Sequence, residues 1–287
     1  MEKAKRVVWR LLAASVCVMA VSQAVHADSL DEQRSRYAQI KQAWDNKQMD
    51  TVQALMPTLK DYPLYPYLEY RQITDDLMNQ PTVTVNNFIQ ANPTLPPARN
   101  LQSRFVNELA RREDWRGLLA FSPEKPNTTE AQCNYYYAKW ATGQQEEAWA
   151  GAKELWLTGK NQPNACDSLF GAWRASGKQD PLSYLERIRL AMKAGNTRLV
   201  TALAGQMPSD YQTISTAVIS LANDPNSVLT FARSTGATDF TRQMAAVAFA
   251  SVARDDVENA RLMIPQLVQA QQLNEEQTQE LRDIVAW

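Results

Sequence analysis

The sequence predicts an all-α protein, an irregular α-solenoid in which helical hairpins stack into a superhelix. Apolar residues recur at helical spacing along the chain, and turn signals near Asp114, Gly143 and Gly177 recur every ~30–35 residues, the period of two-helix repeats. No segment alternates convincingly between polar and apolar residues; the nearest strand candidate, Thr82–Val85, is too short. With 9 glycines in 287 residues, the composition also disfavours an all-β protein and glycine-rich phosphate loops.

Helix starts can be assigned from capping residues and prolines. Ser29 and Glu32 form a capping box, followed by an apolar face of Leu30, Tyr37, Ile40 and Trp44. Further helices are predicted from Pro66 to about Asn79, Pro97–Arg112, Ala131–Thr142, Glu146–Leu157, Cys166–Ala175, Pro181–Ala194, Thr197–Gln206, Ser215–Ala222, Val228–Thr235, Phe240–Arg254 and Glu258–Ala270.

Some helices carry more specific signals. Asp180 before Pro181 is a strong start, and the helix that follows is predicted to have an apolar stripe of Leu182, Leu185, Ile188 and Met192. Thr238, Asn226 and Asn274 are further predicted caps. Pro265 falls inside a helical pattern and is expected to kink or break it.

The N-terminus is typical of a secretory signal peptide. Four basic residues precede an apolar stretch from Leu11 to Val21, and small or apolar residues then lead to a predicted cleavage site between Ala27 and Asp28. A membrane anchor is the alternative, although the apolar stretch is shorter than the ~20 residues that a spanning helix needs. We therefore expect a signal peptide over residues 1–27 and one α-superhelical domain over residues 28–287, with no membrane span in the mature chain.

Cleavage would remove the single histidine, His26, and with it Ser-His-Asp and Cys-His catalysis and every zinc site that contains histidine. It would also remove four basic residues and one acidic residue from totals of 30 and 31, leaving a net charge of about −4. The sequence therefore predicts no nucleic-acid partner. We also predict no metal and no cofactor.

Two cysteines, Cys133 and Cys166, would remain in the mature chain. An exported protein with two cysteines most simply forms one disulfide, here predicted to join neighbouring helices. Two buried free thiols or a redox-active pair are the alternatives, and no Cys-x-x-Cys spacing supports the latter.

Carboxylate pairs and aromatic clusters are the remaining candidates for chemistry. The acid pairs lie beside turns or in first helical turns, where carboxylates favour solvent and the helix dipole; they are Asp75–Asp76, Glu146–Glu147, Asp255–Asp256 and Glu275–Glu276. The aromatic clusters fit either core packing, the preferred interpretation, or contact with sugar rings; they are Tyr62, Tyr65, Tyr67 and Tyr70, and Tyr135, Tyr136, Tyr137, Trp140, Trp149 and Trp156. A basic patch of Arg111, Arg112 and Arg116 is interpreted as a solvated face.

The last predicted helix runs from Asn274 to Trp287 with Leu281, Ile284 and Val285 on its apolar side. No terminating glycine or polar tail follows, although a solenoid needs a polar capping helix. We therefore expect a chain truncated within its architecture, with this helix frayed and its apolar side uncovered. A chain that naturally ends in a docked helix is the alternative.

Four segments resemble the lytic murein transglycosylases of Gram-negative bacteria: Asp28–Tyr37, Lys60–Tyr70, Phe105–Trp115 and Leu185–Ala194. The resemblance extends along the whole chain, signal peptide included. It implies a periplasmic protein whose long α-superhelix curls into a ring that carries a C-terminal lysozyme-like domain. That domain cleaves the MurNAc–GlcNAc bond of peptidoglycan without water and leaves a 1,6-anhydro end.

The family's catalytic glutamate lies in a Glu-Ser motif that a Gly-Leu-Met-Gln segment follows, and this sequence contains neither. No catalytic residue is therefore assigned to this chain. Two hypotheses follow. The chain is the non-catalytic scaffold region of an enzyme that acts on peptidoglycan glycan strands, or it is a periplasmic α-solenoid adaptor that binds cell-wall protein partners.

Overall fold

A computed structural model describes residues 28–286, so the predicted signal peptide, including Ala27 of the cleavage site, and Trp287 lie outside the described residues. Within residues 28–286 the fold consists of α-helices and short 3₁₀ helices without a strand, which confirms the predicted fold class. Internal contacts divide the chain into an N-terminal unit that ends at Leu68 and a C-terminal unit that begins at Glu69.

The N-terminal unit contains α1 (Leu30–Asp45), α2 (Met49–Leu55), a 3₁₀ helix (Met56–Leu59) and the start of α3 (Tyr65–Asp75). Its core includes Ile40, Ala43, Trp44, Val52, Met56, Leu59, Tyr62 and Leu68.

The predicted capping box of α1 is present, because the Ser29 hydroxyl accepts from the Glu32 backbone and the Glu32 carboxylate accepts from the Ser29 backbone. Leu30 was expected on the apolar face but is 49% exposed, since it precedes the first turn that packs on the core. Asp28, next to the predicted cleavage site, accepts a hydrogen bond from Arg36 at 2.7 Å, which lowers the pKa of its carboxyl group.

The C-terminal unit continues with thirteen α-helices between Thr82 and Ile284. All of them correspond to predicted helices except Thr82–Ala91 and Trp115–Phe121, which the sequence analysis missed. They are α4 (Thr82–Ala91), α5 (Pro96–Arg111), α6 (Trp115–Phe121), α7 (Thr129–Ala141), α8 (Gln145–Trp156), α9 (Ala165–Ala175), α10 (Pro181–Lys193), α11 (Thr197–Gly205), α12 (Gln212–Asn223), α13 (Val228–Ser234), α14 (Asp239–Asp255), α15 (Val257–Gln271) and α16 (Glu275–Ile284).

Packing in this unit is mostly local, as in a solenoid. Consecutive helices such as α7 and α8, or α14 and α15, pack against each other, and so do alternate helices such as α5 and α7. Gly143 and Gly177 adopt positive φ angles of 90° and 72° at the ends of α7 and α9, which places the predicted turns there. One contact is less local: α10 packs against α14.

Most predicted caps are confirmed. The side chains of Asp180, Thr238 and Asn274 accept hydrogen bonds from the first turns of α10, α14 and α16. Asn226 is not a cap: Asp224 accepts from the Asn226 backbone at 3.1 Å and begins the 3₁₀ helix Pro225–Ser227. Asp224 lies two residues before Asn226 and satisfies a backbone N–H group that is free at the start of this 3₁₀ helix.

Thr82–Val85, judged too short for a strand, is the first turn of α4. Two other local expectations are corrected. The helix predicted to run to Asn79 ends at Asp75. Pro265 does not break α15, because it lies on the exposed face, where water can satisfy the carbonyl that loses its donor.

The stripe predicted for α10 is partly wrong. Leu182 is 60% exposed, whereas Tyr184, Ile188 and Ala191 form the buried face together with Arg187.

Helix α16 is docked, in contrast to the frayed helix expected from the sequence. It packs on α14 and α15, and Leu281 and Val285 are buried while Ile284 remains partly exposed. Arg261 of α15 also donates from Nη2 to the Val285 carbonyl at 2.8 Å, which satisfies a free acceptor at the helix end. The apolar side of α16 is therefore covered by neighbouring helices that precede it in the chain.

Candidate functional site

A disulfide joins Cys133 on α7 to Cys166 on α9, with the two Cα atoms 4.9 Å apart. Both cysteines are fully buried, and the two helices pack against each other. The structure thus contains the predicted pairing rather than two free thiols. Because the bond lies inside the core, it links neighbouring helices and exposes no reactive sulfur.

Trp156 is the centre of an aromatic cluster in this core. Its ring lies 5.0 Å from Phe170, 6.3 Å from Trp173 and 5.0 Å from Tyr184, measured between ring centroids. Its indole N–H donates to the carbonyl of Ser183 at 2.9 Å. The packing interpretation is therefore correct for Trp156, which is buried with its polar group satisfied.

Arg187 is a buried cation that the sequence analysis did not single out. Its guanidinium carbon lies 4.4 Å from the centroid of the Trp156 ring, and its Nη2 donates to the Lys160 carbonyl at 3.4 Å. No carboxylate of residues 28–286 forms an ion pair with it, and burial lowers its pKa to about 10. Its position three residues after Tyr184 and four before Ala191 is the signal that could have placed it in the core.

A second aromatic group, the aromatic ladder, consists of Trp115 on α6, Tyr137 and Trp140 on α7, and Trp149 on α8. Successive ring centroids are 4.9, 5.0 and 6.5 Å apart. The four side chains are half-buried, and their indole N–H and hydroxyl groups are neither bonded to described protein atoms nor buried. The ladder thus combines ring surface with polar edges that face solvent, the combination that suits sugar rings.

Tyr136, another member of this predicted cluster, lies outside the ladder. It packs on Tyr135, at 5.1 Å between centroids, and lies against the backbone of Gly151. The contacts of Trp115 with Tyr137 and of Trp140 with Trp149 connect different helices, so spacing along one helix could not predict them.

The tyrosines near Pro63 and Pro66 differ in burial. In the N-terminal unit Tyr62 is buried, and its ring centroid lies 5.5 Å from that of Tyr37, whose pKa is raised by burial. Tyr67 is exposed. In the C-terminal unit Tyr70 contacts Phe88.

The predicted basic patch is not simply a solvated face. Arg112 donates from Nη2 to the carbonyls of Leu77, Met78 and Gln80, each at 3.1 Å, and from Nε to Glu108. A guanidinium can satisfy several acceptors at once, so Arg112 closes the end of the 3₁₀ helix Leu77–Asn79.

Glu108 joins two members of this patch. Arg111 donates to both of its carboxylate oxygens, at 2.9 and 2.7 Å, and together with Arg112 it lowers the pKa of the Glu108 carboxyl group. Arg116 is exposed.

The acid pairs have structural roles where partners are seen. Glu147 pairs with Lys139 at 2.9 Å, which raises the pKa of that lysine, and Glu275 pairs with Arg282 at 2.9 Å. Asp256 caps α15 by accepting from the Asn259 backbone. Within residues 28–286 no cluster of three or more histidine, cysteine, aspartate or glutamate side chains could hold a metal ion.

A groove in the C-terminal unit, which we name the α10–α14 groove, lies between α10 and α14. It has a volume of about 1140 Å³. Most of its lining comes from apolar, small and charged side chains of the two helices, among them Leu182, Leu185, Arg189, Phe240 and Ala250. The segments between the two helices add Gly195, Thr197, Ala222 and Pro225. The exposed part of the apolar stripe predicted for α10 lies here.

None of the helices described between residues 28 and 286 is long and apolar enough to cross a membrane.

Curated proteins closely similar to this chain carry the same name. The chain is 84% identical over all 287 residues to the soluble lytic murein transglycosylase of Escherichia coli strain K12, and 79% identical to that of Salmonella typhimurium. It spans 44% of the length of each. No protein-family model matches the chain.

Solved structures of such enzymes share the fold. The crystal structure of the 70-kDa soluble lytic transglycosylase of Escherichia coli is 86% identical and matches with a TM-score of 0.88 over 91% of this chain and 42% of that one. A structure of a 70-kDa soluble lytic transglycosylase in complex with bulgecin A matches with a TM-score of 0.87 over the same shares of the two chains. An inactive mutant of a lytic transglycosylase from Pseudomonas aeruginosa is 29% identical, with a TM-score of 0.75 over 87% of this chain and 41% of that one. Along its whole length, the chain is therefore similar to less than half of a soluble lytic murein transglycosylase.

Proposed function

We propose that this chain is the helical scaffold region of a periplasmic lytic transglycosylase, which cleaves the MurNAc–GlcNAc bond of peptidoglycan to 1,6-anhydromuropeptides. The observation that carries the proposal is the 84% identity over the full chain to enzymes of which it spans 44%. We place catalysis in the part of the longer enzyme that lies outside this chain, because the Glu-Ser and Gly-Leu-Met-Gln motifs are missing from the sequence. The chain itself shapes the access of glycan strands to that part.

The predicted signal peptide over residues 1–27 supports a periplasmic location, where the substrate lies. The disulfide between Cys133 and Cys166 supports it as well, since such bonds persist in oxidising compartments.

Within the scaffold, the aromatic ladder is our candidate for contact with glycan strands. Its rings follow one another across α6, α7 and α8, and their polar edges reach solvent. Aromatic faces pack on the apolar faces of sugar rings, while N–H and hydroxyl groups bond sugar hydroxyls. A row of such rings suits a strand of repeating sugars better than a single small molecule.

The non-catalytic role is tested with purified full chain and isolated murein sacculi. We expect mass spectrometry of the soluble products to show no anhydromuropeptides above a buffer control. The soluble lytic murein transglycosylase of Escherichia coli, treated identically, provides the positive control. Anhydromuropeptides released by the chain alone would overturn the assignment of catalysis to another region.

The glycan contact is tested by co-sedimentation of the chain with sacculi. The double variant Trp140→Ala, Trp149→Ala should bind about tenfold more weakly, because each lost ring contact is worth about 0.5–1.5 kcal/mol. Tyr67→Ala, which removes an exposed aromatic ring outside the ladder, is the matched control and should bind normally. Equal binding by the double variant, with its helical circular dichroism intact, would remove the ladder from the glycan site.

A further inference from the structure

The α10–α14 groove runs along both helices rather than forming a local pit. On α10 the lining positions are Leu182, Leu185, Glu186, Arg189, Met192 and Lys193. Their spacing of three, four and seven residues defines one continuous helix face. This face differs from the buried one, which carries Tyr184, Arg187, Ile188 and Ala191.

Helix α14 shows the same division into two faces. Its core face is buried, while a second face lines the groove with Phe240, Gln243, Ala246, Val247, Ala250, Ser251 and Arg254. The lining residues extend from Phe240 in the first turn to Arg254 in the last turn of this 17-residue helix, or about 21 Å at 1.5 Å per residue. A helix of about four turns fits this length. The small side chains of Ala246, Ala250 and Ser251 allow its close approach.

The groove has an apolar floor and a cationic rim. Leu185, Met192, Phe240 and Val247 contribute partly buried apolar surface. Leu182 adds a side chain that is 60% exposed. Apolar surface left open over such a length is typical of a binding site.

Arg189, Lys193 and Arg254 supply the positive charge, against one carboxylate, Glu186. In the described part of the chain none of these three cations takes part in an ion pair. They thus form a positively charged rim on a mature chain whose net charge is about −4.

We propose that the α10–α14 groove binds an amphipathic helix of a partner protein, one whose apolar stripe is flanked by aspartate or glutamate. The apolar floor would bury the stripe of that helix, and the three unpaired cations would meet its carboxylates. A second copy of this chain fits less well, since a symmetric contact through this groove would bring cations against cations. The proposal does not depend on the function proposed above.

The test uses a synthetic, fluorescein-labelled peptide about four helical turns long, with leucines at positions i, i+3, i+4 and i+7 and glutamates on both sides. Fluorescence anisotropy with purified full chain should show saturable binding that weakens as salt is raised. Arg189→Glu combined with Lys193→Glu should weaken this binding at least about tenfold. Lys153→Glu combined with Lys178→Glu reverses two exposed cations outside the groove, and this control should leave binding unchanged.

A second variant, Ala250→Trp, fills the groove and should abolish binding without a change of charge. Thermal unfolding monitored by circular dichroism establishes that each variant is folded. If Ala250→Trp does not fold, the charge-reversal variant and its control decide the question.

Several results would overturn the proposal. They are no saturable binding, binding that survives the charge reversal, and equal binding of a peptide with lysine in place of every glutamate. Self-association of the chain that Ala250→Trp abolishes would assign the groove to a second copy. Displacement of the peptide by soluble murein glycan strands would assign it to a saccharide.

Discussion

The guanidinium carbon of Arg187 lies 4.4 Å from the centre of the Trp156 ring, within the largest hydrophobic cluster of the C-terminal unit. The aromatic ring stabilises the cation by a cation–π interaction, while burial without a carboxylate partner destabilises it. Burial lowers the pKa of Arg187 to about 10, which indicates that the desolvation cost is substantial. The Arg187 side chain therefore affects stability through its packing on Trp156 as well as through its charge.

Replacement of Arg187 should separate these two effects. Arg187→Met keeps most of the side-chain volume over Trp156 and removes the buried charge. We therefore expect its free energy of unfolding to equal that of the unsubstituted (parent) chain or to exceed it by about 1 kcal/mol. Arg187→Ala removes the packing as well and should lower it by about 2 kcal/mol. Urea denaturation measures both. A methionine variant as unstable as the alanine variant would show that the charge itself stabilises the core.

The lowered pKa of Arg187 predicts how the stability difference between the unsubstituted chain and Arg187→Met depends on pH. Between about pH 5 and 9 the guanidinium is protonated in both folded and unfolded chains, so the stability difference between parent and Arg187→Met should stay constant. Above about pH 10 the folded state loses its proton first. The parent should then gain stability relative to the variant as pH rises towards the ordinary pKa of arginine.

Glu108 should make stability depend on pH in the same direction, but at low pH. Its carboxylate accepts from Arg111 and Arg112, which lower its pKa, so its contribution is full above the unfolded pKa and is lost as pH falls through the folded pKa. Glu108→Gln should cost about 1–2 kcal/mol at pH 7 and nearly nothing near pH 2. Glu280→Gln, at an exposed position, is the control. A pH-independent loss would mean that shape rather than charge matters at Glu108.

Removal of the disulfide should destabilise the chain without changing its fold class. Cys133 and Cys166 are 33 residues apart, and opening such a loop costs roughly 3–4 kcal/mol in the chain-entropy model. Cys133→Ala combined with Cys166→Ala should therefore lower the urea midpoint and keep the helical circular dichroism. Thiol counting on unfolded, unreduced parent protein should find no free thiol. Two free thiols would contradict the pairing.

Two positions on α16 test how firmly the last helix is docked. Leu281 is 3% exposed and Ile284 is 38% exposed on the same helix. Leu281→Ala should cost about 2–4 kcal/mol and Ile284→Ala less than about 1 kcal/mol, because only the first leaves a cavity. Slow hydrogen exchange at residues 279–285 of the parent chain should accompany this result. Fast exchange, or equal effects of the two variants, would support the frayed helix expected from the sequence.

The sequence predicted those features that depend on neighbouring residues and missed those that depend on packing between helices. Ser29, Asp180, Thr238 and Asn274 were identified as caps, since a cap bonds to the backbone two or three residues away. The docking of α16 depends on α14 and α15, so a local pattern could not reveal it.

The same distinction applies to the sites. Cys133 and Cys166 could be paired by counting, because the predicted cleavage removes the third cysteine, Cys17, and two cysteines allow one intramolecular bond. The three carbonyls that Arg112 binds lie more than thirty residues away, and the groove requires α10 beside α14. The apolar stripe of α10 was seen in the sequence, but its division between core and groove depends on which helices pack there.

Two glycines in neighbouring helices should respond to alanine in opposite directions. A Cβ atom at Gly151 of α8 would lie 2.3 Å from the ring of Tyr136, so either that ring or the contact between α7 and α8 must shift. Overpacking of this kind costs about 1–3 kcal/mol. At Gly171 of α9 a Cβ atom would meet no other atom within 4 Å. Gly171→Ala should therefore stabilise the chain by about 0.5–1 kcal/mol, because alanine loses less backbone entropy in a helix.

Thermal unfolding of Gly151→Ala, Gly171→Ala and the parent measures this contrast. Gly151→Ala combined with Tyr136→Leu is the control, because the smaller side chain makes room for the added methyl group. The double variant should lose less stability than the sum of the two single variants, since the methyl group then fills space that the ring has left. Additive losses would show that the backbone of α8, rather than the Tyr136 ring, limits the approach of the two helices.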